Sequence, residues 1–128
     1  MNLNFRTIGK FAFLLVFIGF LMPMACDMNG FQLIDSGLLA DIGIVAMIII
    51  FVTSILGFII GIILLAKKPI PIAIDWAVII FCFGWVLGAF IWEANAGHLD
   101  YLQSGAYMIM VGSVLTILFQ IISAIKKE

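Results

Sequence analysis

From Ile42 to Ala66 the chain carries no ionised side chain, a run of roughly 37 Å at a helical rise of 1.5 Å per residue. That exceeds the ~30 Å hydrocarbon core of a bilayer. A soluble fold of 128 residues could not hide the rest of the apolar surface either. Hydrophobic residues make up 66% of the chain and charged residues 10%, with a mean hydropathy of +1.33, against about 45–50% and about 25% in soluble domains. Lipid is therefore the expected solvent. Outer-membrane strands would show about 10-residue alternating segments, which are absent.

The apolar stretches predict helices over about 8–25, 38–66, 72–92 and 101–125. The expected fold is an all-α integral membrane protein, a single transmembrane domain over 1–128 forming a compact antiparallel four-helix transmembrane bundle. Three helices remain if the N-terminal segment is cleaved. The connectors support these boundaries. Pro69 and Pro71 stop one helix and start the next, because proline supplies no backbone donor. Gly97 is an expected helix terminator, Asn29-Gly30 reads as a turn and Ser36 as a cap.

Cations set the orientation. Arg6 and Lys10 flank the first helix, Lys67 and Lys68 join the second to the third, and Lys126 and Lys127 follow the fourth. With four spans, all fall on one side. The opposite loops hold Asp27, Asp35, Glu93 and Asp100, with Asp41 nearby. The positive-inside rule makes the cationic side cytoplasmic, which implies a bacterial inner membrane and two cytoplasmic termini if the chain is uncleaved. A formal net charge of −1 implies no polyanion-binding face and no nucleic-acid partner.

The stretch "FLMPMACDMNG" has three readings. It ends a first transmembrane helix, one so short that Lys10 is expected to snorkel toward the cytoplasm. Alternatively it closes an export signal, with Arg6 and Lys10 as the basic region and Ala25 before Cys26. "MPMAC" resembles a relaxed bacterial lipoprotein cleavage box, although Pro23 stands where leucine is usual; the resemblance implies lipidation of Cys26. Third, redox chemistry would need Cys26 and Cys82 to pair. Cys82 lies roughly 16 Å deeper at helical rise, beyond the ~7 Å Cα limit of a disulfide, so Cys82 reads as a buried apolar residue.

Small residues carry the positional signal. Gly43, Met47, Ile50, Ser54, Gly57 and Gly61 recur at steps of four and three in the second helix, where "GFIIG" is a GxxxG motif. Ala77, Phe81, Gly84, Gly88 and Ile91 do so in the third, with "GWVLG". Gly9, Ala12, Val16 and Gly19 mark the first, and Gly105, Gly112, Thr116, Gln120 and Ser123 the fourth. Helices in lipid associate by close backbone approach and interhelical hydrogen bonds. Gly57, Gly61, Gly84 and Gly88 are therefore expected at helix contacts, within the chain or between protomers.

Chemistry is scarce. Coupled transport usually keeps an ionisable group at mid-membrane, and the centres of all four stretches lack one. Asp75, within a turn of Pro71, suits a helix N-terminus. Glu93, His98 and Asp100 are weak candidates for an outer ion site. No cofactor, metal site or catalytic constellation is indicated. The leading expectation is a small structural, accessory or assembly protein that packs through its small-residue faces in the bilayer, in a larger membrane complex or a homo-oligomer. The alternative is a channel, permease component or lipid-interacting transporter with Thr53, Ser54, Thr116 and Gln120 lining the path. An intramembrane enzyme is a third, less favoured class.

Overall fold

The computed structural model describes residues 5–23, 27–36, 41–95, 97 and 102–126, and among them contains helices and no strand. The helices are α1 (Phe5–Phe11), α2 (Phe13–Leu21), α3 (Gly30–Asp35), α4 (Asp41–Leu65), α5 (Ile72–Asn95) and α6 (Ser104–Ile125). Three stretches, Gly43–Leu65, Ile72–Asn95 and Ser104–Ile125, are long and apolar enough to cross a membrane. Only 22–33% of each is buried inside the protein, and the outward residues are large and apolar, such as Ile62, Ile80 and Val111. A surface of that kind suits lipid and would aggregate in water.

The N-terminal helix departs from the expected 8–25. It starts at Phe5, tightens at Ala12 and ends at Leu21. At Ala12 the backbone makes three-residue bonds, Ala12 N–H to the Gly9 carbonyl and Leu15 N–H to the Ala12 carbonyl, a local 3₁₀ turn between two α-helical pieces. The early end follows from Pro23. A residue before proline is driven out of the helical region, and Met22 is extended at φ −86°, ψ 162°.

The connector between α2 and α4 also differs. The expected turn at Asn29 is the start of α3: the Asn29 side chain accepts from Gln32 N–H while the Gln32 side chain accepts from Asn29 N–H, both at 2.9 Å. This is a reciprocal capping box. Ser36 closes the same short helix, its Oγ donating to the Leu33 carbonyl at 2.7 Å. Gly30 leaves room for the Phe20 ring, and Phe31 sits edge-on to Phe20 and Phe51. We expect Asn29→Ala to cost about 1 kcal/mol, read as faster amide exchange confined to α3.

The remaining ends have local causes. After α4, Lys67 N–H bonds the Leu64 carbonyl and Lys68 N–H the Ile63 carbonyl, the Schellman pattern. Lys67 takes the left-handed conformation (φ 62°) in place of the usual glycine, and Pro69 follows. Gly97 does the same past α5 at φ 77°.

Neighbours form a ring. The α1–α2 segment packs on α4 and α6, and α5 packs on α4 and α6; among the described residues the backbones of α5 and α1–α2 stay more than 8 Å apart, as do those of α4 and α6. Along α4, Gly61 meets Lys10, Gly57 meets Phe13 and Phe51 meets Phe20, so α4 runs opposite to α1–α2. Along α6, Phe119 meets Gly9, Gly112 meets Val16 and Gly105 meets Gly19, again antiparallel. The tightest approach is α2 on α6, where Gly105 N–H also donates to the Pro23 carbonyl at 2.9 Å. Phe13, Val16, Phe20, Ile79, Cys82, Val86 and Ile109 fill the ring's interior.

Candidate functional site

Arg6 and Lys10 are four apart on α1, hence on one face. Both reach across the ring to Asp75 in the first turn of α5. Arg6 Nε donates to Asp75 Oδ2 at 2.6 Å, and Arg6 Nη2 donates to Asp75 Oδ1 at 3.0 Å and to the Ile70 carbonyl at 2.7 Å. Lys10 Nζ lies 3.0 Å from Asp75 Oδ2 and donates to Gln120 Oε1 on α6 at 2.7 Å. Its third donor points to the Arg6 carbonyl at 3.4 Å. Lys10 and Asp75 are each 0% exposed and Gln120 1%.

This cluster corrects one expectation and adds to another. Lys10 does not snorkel outward; it is buried, because Gly61 allows the backbones of α1 and α4 to approach until the glycine lies under the lysine stem. A Cβ on Gly61 would stand 2.9 Å from Lys10 Cβ. Asp75 does sit at its helix N-terminus, but both carboxylate oxygens are occupied by α1. Two cations face one carboxylate, and the ammonium, being donor-only, fixes the Gln120 carbonyl oxygen toward itself. Gln120 Nε2 and Ser123 Oγ, one turn further along α6, are buried without a protein partner. The chemistry available is bracing: a desolvated charge network ties α1, α5 and α6 together at the lysine-bearing end.

Hydroxyls elsewhere serve their own helices. Thr53 Oγ1 donates to the Ile49 and Ile50 carbonyls, Ser54 to Phe51, Ser113 to Met110 and Thr116 to Ser113. Each is therefore satisfied without water or a neighbouring helix. Ser54, Gly57, Gly61, Gly112, Thr116 and Gln120 all lie in the interior. Gly43 is half-buried.

Gly84 and Gly88 are different. A Cβ built on either meets nothing within 4 Å, so the expected contact is not made among the described residues of this chain. The reason is helical phase. The buried face of α5 is Asp75, Ile79, Cys82 and Val86, and the stripe Ala77, Phe81, Gly84, Gly88 and Ile91 falls off that face.

At the acidic end the ring opens into a cavity of about 260 Å³, lined by Gly43, Met47 and Ile50 of α4, Trp85 and Glu93 of α5, and Ile109 of α6, among others. It does not reach Thr53, Ser54, Thr116 or Gln120. Of the outer ion-site candidates, Glu93 lines this cavity, while His98 and Asp100 lie outside the described residues, as does Cys26. No group of His, Cys, Asp and Glu fit to hold a metal occurs among the described residues. Asp27 is instead stitched to α6: its N–H donates to Gln103 Oε1 at 2.7 Å and Gln103 Nε2 donates to its Oδ1 at 2.8 Å.

No family model, curated protein or solved structure matches the chain.

Proposed function

We propose that this chain is a small polytopic membrane protein with a structural, accessory or assembly role. In this view α1–α2, α4, α5 and α6 form an antiparallel four-helix transmembrane bundle, in a bacterial inner membrane with both termini cytoplasmic. The observation that carries it is the closure of most polar groups along the middle of the helices. Among the described residues the buried ionised side chains are gathered in one cluster at the lysine-bearing end, Thr53, Ser54, Ser113 and Thr116 turn back on their own carbonyls, and the two unpartnered polar atoms, Gln120 Nε2 and Ser123 Oγ, lie beside that cluster. A conducting or transporting path needs polar groups turned toward water. Between the ion cluster and the outer cavity stand Phe13, Val16, Ile79 and Cys82, all fully buried.

Two further observations support the role. The glycine stripe of α5 faces outward, leaving a flat surface on which another helix could pack at close range. Cleavage before Cys26 would remove Arg6, Lys10 and all of α1–α2, stranding Asp75 and Gln120 and uncovering the glycines of α4 and α6. A retained first helix fits the packing better than a lipoprotein signal.

The test is gentle-detergent purification of the tagged chain from its native membrane, with intact mass and copurifying proteins recorded. We expect a full-length mass without acylation at Cys26, and a stoichiometric membrane partner or a second copy. A lipidated chain lacking residues 1–25 would overturn the four-helix topology. A chain that purifies alone and conducts ions in liposomes would overturn the accessory role.

A further inference from the structure

We propose that the lysine-bearing end holds a small monatomic anion of the chloride class, bound by Gln120 Nε2 and Ser123 Oγ beside the Arg6–Lys10–Asp75 cluster. The inference goes beyond the accessory role. It needs from that reading only a retained α1, which intact mass establishes for each sample.

Unspent donors come first. Gln120 and Ser123 are three apart on α6 and share one face, each 1% exposed. Lys10 Nζ donates to Gln120 Oε1 at 2.7 Å, and an ammonium has no acceptor to offer an amide nitrogen. The amide is therefore held in one orientation, with Nε2 turned away from Lys10 and without a protein partner. Ser123 Oγ is likewise buried and unpartnered. Thr53, Ser54, Ser113 and Thr116 each donate to a carbonyl of their own helix. Ser123 does not, so its hydroxyl stays available to a group outside α6. Buried donors with nothing to meet them are costly and rare in native folds.

Charge selects the guest. Arg6 and Lys10 oppose Asp75 alone, which leaves one excess positive charge, two cations less one carboxylate. The other charged residues described at this end, Lys67, Lys68 and Lys126, are cations too. A buried charge away from water calls for a counter-charge. A water molecule would accept from Gln120 but bring two protons of its own. The carboxylate and amide oxygens of the cluster already accept from Arg6 and Lys10. An anion only accepts, and it supplies the missing charge.

Packing sets the size. α1 lies close on this stretch of α6: Phe5 stacks on Phe119 with ring centroids 5.9 Å apart, and a Cβ on Gly9 would stand 2.7 Å from Phe119 Cβ. A polyatomic oxyanion would force these helices apart, whereas a bare halide asks for a few donors converging on one point. Arg6, 17% exposed, stands at the solvent edge of the cluster and gives the ion its way in.

The experiment uses the full chain in an uncharged maltoside detergent, at constant ionic strength with gluconate replacing chloride. Chloride exchanging with a protein site broadens the chlorine NMR line. We expect broadening that depends on the protein, saturates with chloride, and is displaced by bromide but not by sulfate. Gln120→Glu sets a carboxylate against Lys10 and gives Ser123 an acceptor. It should abolish the displaceable broadening and raise the SDS unfolding midpoint in chloride-free buffer. Ser123→Ala should raise half-saturation at least about tenfold, the loss of one hydrogen bond to a charged group. Lys126→Gln, at an exposed position, should leave the broadening in place. With α1 shown present by mass, a chloride line unaffected by the protein would overturn the proposal and leave water as the partner of these atoms. So would displacement by sulfate as readily as by bromide, broadening that survives Gln120→Glu, or broadening that Lys126→Gln removes. Halide competition on the unmodified chain decides the matter even if a variant fails to fold.

Discussion

Asp75→Ala should destabilise the protein by roughly 3–5 kcal/mol, the range for breaking a buried ion pair by removing one partner. The loss comes from what is left behind. Lys10 is 0% exposed and wedged over Gly61, so it cannot turn outward to find water. The Arg6 side chain, 17% exposed, can. Lys10→Met should cost much less, about 1–2 kcal/mol, because Arg6 still grips Asp75 through two hydrogen bonds and the main deficit is one unsatisfied Gln120 oxygen. The double variant carries the sharper expectation. Removing both Lys10 and Asp75 takes away the stranded charge, so the combined loss should fall below the sum of the single losses by about 1 kcal/mol or more. Unfolding in mixed micelles with increasing SDS measures all three. Strict additivity would mean that the two side chains do not share a site.

The second large effect separates glycines that look alike in sequence. Gly19→Ala and Gly105→Ala should each destabilise by about 1–3 kcal/mol or more, as overpacking does. A Cβ on Gly19 would stand 2.7 Å from the Gly105 carbonyl oxygen and 3.0 Å from Ile109 N; one on Gly105 would stand 2.5 Å from the Gly19 oxygen and 2.9 Å from the Pro23 oxygen. These are backbone atoms and cannot rotate away, so α2 and α6 must separate. Gly84→Ala and Gly88→Ala should instead be neutral or stabilise by about 0.5–1 kcal/mol, since alanine is the better helix former and nothing stands in its way. The same SDS titration reads the sign. If the α5 stripe carries a partner helix, these two variants should also weaken copurification while the monomer gains stability. Losses of similar size at all four positions would contradict the packing described here.

Much of the interior is legible in the sequence. On α4 the small-residue steps through Met47, Ile50, Ser54, Gly57 and Gly61 coincide with the buried face, and on α6 the series Gly105, Gly112, Thr116, Gln120 and Ser123 does too. On α5 the same kind of pattern lies off the buried face, so it makes no contact among the described residues of this chain. Glycine spacing says where a close approach is permitted, and only a neighbour at that phase makes one. The end of α2 at Leu21 was readable in Pro23 but was outweighed by the continuing apolar run. Glu93 was visible as an outer carboxylate, whereas the cavity beside it belongs to no local stretch.

What the sequence determined by itself was the helical class, a length and hydropathy suited to crossing a membrane, and the placement of its cations near helix ends. Each follows from sums over local residues: apolar length against bilayer thickness, and the placement of Lys and Arg at successive helix ends. The tertiary structure alone decided that Arg6 and Lys10 close on Asp75. Their partner is 69 and 65 positions away (75 − 6 and 75 − 10), and a charged side chain near a helix end reads equally well as a solvated anchor or a buried brace. Which one it becomes depends on whether another helix brings a countercharge and excludes water, and that is a property of the assembled ring.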